Sequence, residues 1–190
     1  MKIQSAFHAI LPLALALQHA SAQTPANPEL RDELLRMQEA DQAIRSLDLQ
    51  APEEIRVLSA VDTLNTARLK QIVAAHGWPS ASLVGKDGAG AAWLLAQHAD
   101  ADPEFQRQVL GFIEALVATG EVEGSHHAYL WDRTHDPQKY GTQGRCVARG
   151  RWEPREIEDA EGVDARRSKI GLPPMEEYIK HVSELCARDD

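Results

Sequence analysis

Short polar words crowd the middle of this chain: Gly77-Trp78-Pro79, Gln97-His98-Ala99-Asp100, Asp132-Arg133 and Tyr140-Gly141-Thr142-Gln143. His98 is the group best suited to proton transfer, because an imidazole changes charge near neutral pH. A carboxylate in reach would orient it, so His98, Asp100 and Asp132 are the candidate catalytic set. Arg133 suits a carboxylate or phosphate on a ligand. Gln97, Tyr140 and Gln143 offer an amide, a phenol and a second amide for hydrogen bonding, and Trp78 suits a pocket wall. Each has a plainer reading. A histidine on an apolar helix face is more often a hydrogen-bonded core residue, Arg133 pairs with an acidic neighbour or stacks on Tyr129, and Trp78 is core packing.

Several chemistries are disfavoured by the patterns the chain lacks. His126, His127, Asp132 and His135 are the groups that would complete a metal site with His98, but there is no His-Glu-x-x-His and no cysteine cluster. No metal and no cofactor is expected. A Gly-x-Ser-x-Gly elbow and a phosphate-binding Gly-x-x-x-x-Gly-Lys loop are absent, and neither cysteine has a base nearby in sequence.

Helices must position these groups. Asn27-Pro28 reads as N-cap and first helical residue, followed by a stripe of Leu30, Leu34, Met37, Asp41 and Ile44. Asp41 interrupts that stripe, with Arg45 one turn on. A surface ion pair at the helix edge is the preferred reading; a carboxylate turned toward a polar interior is the sharper one. Both residues are kept as candidate ligand-binding groups. A second helix starts near Pro52-Glu53-Glu54 and carries Leu58, Asp62, Asn65, Leu69, Ile72 and His76, ending at Gly77. Lys86-Asp87-Gly88 is expected to be a turn. The next helix puts Ala91, Leu94, Leu95 and His98 on one face. Asp102-Pro103-Glu104 opens another, with Phe105, Val109, Phe112, Ile113 and Leu116 as its core stripe. A short helix over 125–136, a hairpin of 143–148 with 151–156, a helix over 164–170 and a last helix with Met175, Tyr178, Ile179, Val182 and Cys186 inward complete the prediction. The fold class is mainly α, a compact multi-helix domain over 28–188 with a small β-hairpin near residues 143–156.

The N-terminus reads as an export signal. Lys2 precedes an apolar run from Ala9 to Leu17, and Ala20-Ser21-Ala22 fits the small-x-small cleavage pattern, giving a signal peptide over 1–22 and a mobile leader over 23–27. The run is too short to span a bilayer, so no membrane span is expected. The destination is periplasmic or secreted. A net charge of -9 argues against nucleic acid as a partner. The two cysteines, Cys146 and Cys186, are either one disulfide, as an oxidising compartment allows, or two separate buried thiols.

Taken in order, Asp41-Gln42-x-x-Arg45, Gly77-Trp78-Pro79 with Gly85, Gln97-His98-Ala99-Asp100, Leu130-x-Asp132-Arg133, Tyr140-Gly141-Thr142-Gln143 and Arg166-Arg167-x-x-x-Gly171-Leu172 resemble the bacterial domain-of-unknown-function 6624 family. The resemblance runs from about Leu34 to Tyr178. It implies a shared fold and a shared special site containing Gln97, His98, Asp132, Arg133, Tyr140 and Gln143; it supplies no activity.

Three functions fit these residues. One is a hydrolase acting on an envelope component, with His98 as general acid or base oriented by Asp100 or Asp132, and Arg133, Tyr140 and Gln143 holding substrate. Another is a non-catalytic module binding a small polar or anionic ligand. The third is a structural or protein-interaction domain in which the polar words form a buried network.

Overall fold

The computed structural model describes residues 24–47 and 51–186. The expected signal peptide lies outside the described residues. Seven helices and a two-stranded antiparallel sheet are present among them: α1 Pro28–Arg45, α2 Pro52–His76, α3 Ala81–Gln97, α4 Pro103–Val117, α5 Gly124–Thr134, β1 Gly144–Ala148, β2 Arg151–Pro154, α6 Val163–Lys169 and α7 Met175–Leu185. The chain is therefore mainly α with one late hairpin, as its periodicity predicts.

Local chemistry sets the element ends. Asn27 accepts from the Leu30 N–H at 3.0 Å, and Asp102 accepts from the Phe105 N–H at 3.0 Å, so both predicted N-caps form. The Glu54 carboxylate reaches back to the Ala51 N–H at 2.9 Å. Gly77 leaves α2 with a φ of 74°, which a glycine adopts without strain.

α3 is the central element. Its Val84, Ala89, Ala91, Ala92, Leu95 and Ala96 are buried, and the alanines let α1 lie close along it. Leu30 and Leu34 of α1, Leu69 and Ile72 of α2, and Phe105, Val109 and Ile113 of α4 fill the same core. Each large aliphatic side chain fully buried there stabilises the fold by roughly 1.5–3 kcal/mol. A smaller cluster of Val163, Met175 and Tyr178, with Tyr129, Trp152 and Ile157 against it, holds the hairpin, α6 and α7 together.

Some expectations are corrected. The turn placed at Lys86-Asp87-Gly88 falls at Gly85, where a φ of 75° kinks α3; the residues after it are helical, and the Asp87 carboxylate accepts from the Gly88 N–H at 2.9 Å. The core stripe of α4 holds at Phe105, Val109 and Ile113, but Phe112 is 45% exposed, and Gln106 and Leu110 are buried beside the stripe. The end of the leader is docked, with the Ala26 and Asn27 N–H groups donating to the Ser82 and Leu83 carbonyls at 3.1 and 2.8 Å. β1 starts one residue later than expected and β2 ends two residues earlier.

Cys146 and Cys186 form a disulfide, with their Cα atoms 5.6 Å apart, tying β1 to the C-terminal end of α7. No described helix is long and apolar enough to cross a membrane.

Candidate functional site

The predicted polar residues do not form one cluster. They divide into three groups, and the division follows the elements that carry them.

The first group joins α1, α2 and the end of α3. His98 caps α3, and its Nδ1 lies 2.9 Å from both carboxylate oxygens of Asp41. Asp41 is 0% exposed, so the sharper reading of its place in the α1 stripe holds, although the i,i+4 pair with Arg45 also forms, at 3.2 Å. The Gln42 amide donates to the other Asp41 oxygen at 2.8 Å. The same terminal nitrogen of Arg45 that faces Asp41 also donates to Asp62 of α2, and its Nε lies 3.0 Å from His98 Nδ1. One ring nitrogen cannot donate to Asp41 and accept from Arg45 together. The buried carboxylate offers two ionised acceptor atoms and is the stronger partner, so we place the proton on Nδ1. Nε2 is then the free basic atom. It makes no hydrogen bond to a described residue, and the side chain is 21% exposed. The carboxylate in contact with His98 is thus Asp41, while Asp100 and Asp132 pair elsewhere.

Electrostatics match this geometry. Burial pushes the Asp41 carboxyl up, but hydrogen bonds from His98 and Gln42, with the charges of His98 and Arg45, outweigh it and hold it below the usual carboxylate range. Burial raises Asp62 above its ordinary value, and the neighbouring Asp41 charge adds to the effect against the opposing pull of Arg45.

The second group begins two residues further along. Asp100 pairs through both oxygens with the Nε and a terminal nitrogen of Arg133 on α5, the first contact being 2.7 Å. Arg133 also donates to the Gln143 side-chain oxygen at 3.3 Å. Burial raises the Asp100 carboxyl, but the Arg133 pairing overrides it and leaves it lowered. Gln106, buried on α4, donates to the Ala96 and Gln97 carbonyls at 3.2 Å each and to Asp100 at 3.3 Å. It thereby adds a side-chain donor to the last carbonyls of α3 and ties the segment bearing His98 and Asp100 to α4.

The third group grips a loop. Asp132 is 0% exposed and accepts from the N–H groups of Lys139, Tyr140 and Thr142 at 2.7, 3.0 and 2.9 Å, and from the Thr142 hydroxyl at 2.9 Å. The carbonyls of the same loop are held from α6 and α7: Arg166 donates to Lys139 at 2.9 Å, Arg167 to Tyr140 at 2.6 Å, and the Tyr178 hydroxyl to Thr142 at 3.0 Å. Gln138, fully buried, donates to the Gln143 and Arg155 carbonyls and accepts from the Gln143 N–H. Asp132 is therefore fully engaged as the anchor of 139–142. Tyr140 points its ring at His127, with centroids 6.5 Å apart, and its phenol makes no hydrogen bond among the described residues.

Gln97 and Trp78 lie apart from these groups. In the orientation that satisfies its amide, Gln97 accepts from the Leu130 N–H at 2.9 Å and from Trp93 Nε1 at 3.3 Å, which docks α3 on α5. Trp93 also donates to the His126 carbonyl at 3.0 Å. Trp78 is 7% exposed within the core cluster. A cleft of ≈ 290 Å³ opens elsewhere, lined by Lys86, Val117, Glu121, Glu123 and His126 among others, and does not include His98.

Sequence reasoning missed Gln106 and Gln138 as members of these groups, and read Asp62 as a polar break in the α2 stripe without naming it a site residue. The signal for Asp62 was present, since it breaks the α2 stripe at the helical spacing that carries Leu58 and Leu69. Gln138 had none, because it lies in a segment without periodicity.

Fold and site together define a mainly α domain with a polar seam where α1, α2 and α3 meet. The chain belongs to a family of unknown function, DUF6624, whose family model matches residues 28–187. Neither the curated proteins nor the solved structures contain a match to it.

Proposed function

We propose that this protein is an exported hydrolase acting on an envelope component, with His98 as its general acid and base. The observation that carries this reading is the His98–Asp41 contact: a fully buried carboxylate holds Nδ1 at 2.9 Å and leaves Nε2 without a hydrogen bond to a described residue, on a side chain 21% exposed. That arrangement favours the tautomer whose uncommitted nitrogen can take a proton from an attacking water and return it to the leaving group. Arg45 supports the carboxylate from its other side. Asp100, Arg133 and Gln143 form a second polar line beginning two residues from His98, and the gripped loop presents Tyr140 and Gln143 with little freedom to move.

Export is supported by the N-terminal signal pattern and by the Cys146–Cys186 disulfide, a bond that persists in oxidising compartments. The charge balance of the site narrows the ligand. Asp41, Asp62 and Asp100 face Arg45 and Arg133, and both arginines are already paired, so a neutral or cationic group is favoured over an anion.

The test is turnover. Purified protein is incubated with isolated cell-envelope fractions in the presence of a chelator, and released products are followed by liquid chromatography and mass spectrometry. The wild type releases products that His98→Gln and Asp41→Asn do not. Equal release by His98→Gln would remove the reading.

A further inference from the structure

The same seam holds a second property. Asp41, Asp62 and His98 come from three different elements, and one ligand atom from each lies within 4.8 Å of the others. A first-row divalent ion bound by two carboxylate oxygens and an imidazole nitrogen needs its ligand atoms about 3–4 Å apart, given bond lengths of about 2.0–2.2 Å. Small rotations of Asp62, which is 22% exposed, close that difference. This is not an exposed patch of acids: Asp41 is fully buried, and its second oxygen is already fixed by the Gln42 amide, as outer partners fix metal-binding carboxylates.

A separate observation concerns what fills the centre now. Arg45 Nε lies 3.0 Å from His98 Nδ1, the same ring nitrogen that faces both Asp41 oxygens at 2.9 Å, so the guanidinium and the carboxylate compete for one atom. The guanidinium bridges Asp41 and Asp62 as the cation of the cluster. It is also 23% exposed and sits at the last residue of α1, so it can leave toward solvent without disturbing the core.

We propose that Asp41, Asp62 and His98 Nδ1 form a binding site for a divalent transition ion of the zinc and cobalt class, which enters by displacing Arg45. The imidazole and mixed nitrogen and oxygen donors select this class over calcium or magnesium, which take oxygen ligands. Resting on the acid–base reading above, ion binding is a switch: a metal on Nδ1 replaces the proton that Asp41 orients and withdraws the imidazole from proton transfer.

The test titrates the full chain, freed of metal by a chelator and then dialysed, with Co²⁺ followed by visible absorption and with Zn²⁺ followed by calorimetry. One equivalent of Co²⁺ develops a d–d spectrum. Asp62→Asn and His98→Gln each weaken binding at least 10-fold, and both residues are partly exposed, so their melting curves confirm that they fold. Arg45→Gln tightens binding several-fold by removing the competitor, an effect that a purely structural ion pair would not give. Absence of a one-site titration, binding that survives both Asp62→Asn and His98→Gln, or unchanged or weaker binding in Arg45→Gln overturns the proposal. Turnover that rises as Zn²⁺ binds overturns the switch. Failure of the envelope assay under chelator leaves the cobalt spectrum unaffected, so the two readings fail separately.

Discussion

At the scale of single residues, two buried aspartates do opposite work. Asp132 has four donors converging on it and no freedom left for a ligand. Replacing it with alanine strands those donors in the interior. Asp132→Ala should therefore cost on the order of 3–5 kcal/mol, measured by urea unfolding, with Asp132→Asn intermediate because one amide oxygen still accepts. Asp41 carries a pH signature instead. Its folded-state value is depressed, so its stabilising contribution is complete above the unfolded carboxylate value of about 3.9 and is lost as pH falls below that toward the folded value. Unfolding free energy measured across the acid range should drop through that window in the wild type and drop less steeply in Asp41→Asn. Asp41 was legible in the sequence as a break in the α1 stripe, but its direction was not: one residue of helical phase separates a surface pair from a buried carboxylate.

At the scale of elements, the helices and their caps were readable because periodicity and capping act over a few neighbouring residues. Asn27, Asp102 and Gly77 each do what their local chemistry requires. The grouping of the polar words was not readable, because it depends on which helices pack together. Asp132 and His98 share a word list and a family resemblance, yet α5 turns Asp132 toward the loop at 139–142 while α3 turns His98 toward α1. That loop gives an element-scale prediction. Gly141 has a φ of 70°, and a Cβ there would lie 2.6 Å from the Met175 sulfur. Gly141→Ala should destabilise by about 1–2 kcal/mol from the backbone conformation alone. It should also raise the hydrogen exchange of the Tyr140 and Thr142 amides, since displacing the loop loosens their bonds to Asp132.

At the scale of the whole molecule, two bodies of packing meet at α5. One is the α1–α4 core and the other is the smaller cluster around Tyr178. The disulfide belongs to the second, closing a separation of 40 residues between β1 and the end of α7. In the chain-entropy account a loop of that length contributes about 4 kcal/mol. The double variant Cys146→Ser/Cys186→Ser should lower the melting temperature, and reduction of the wild type should reproduce the shift. The sequence left bridge and free thiols open because spacing alone says nothing about approach; the hairpin and α7 had to be placed first.

The central claim is that Asp41 fixes the His98 imidazole with its proton on Nδ1 and its Nε2 bare. Two-bond ¹H–¹⁵N correlation spectra of the metal-free protein at neutral pH read that tautomer directly, without any substrate. The account predicts a pyrrole-type shift for His98 Nδ1 and a pyridine-type shift for Nε2, with the preference lost in Asp41→Asn. A proton found on Nε2 in the wild type would contradict it.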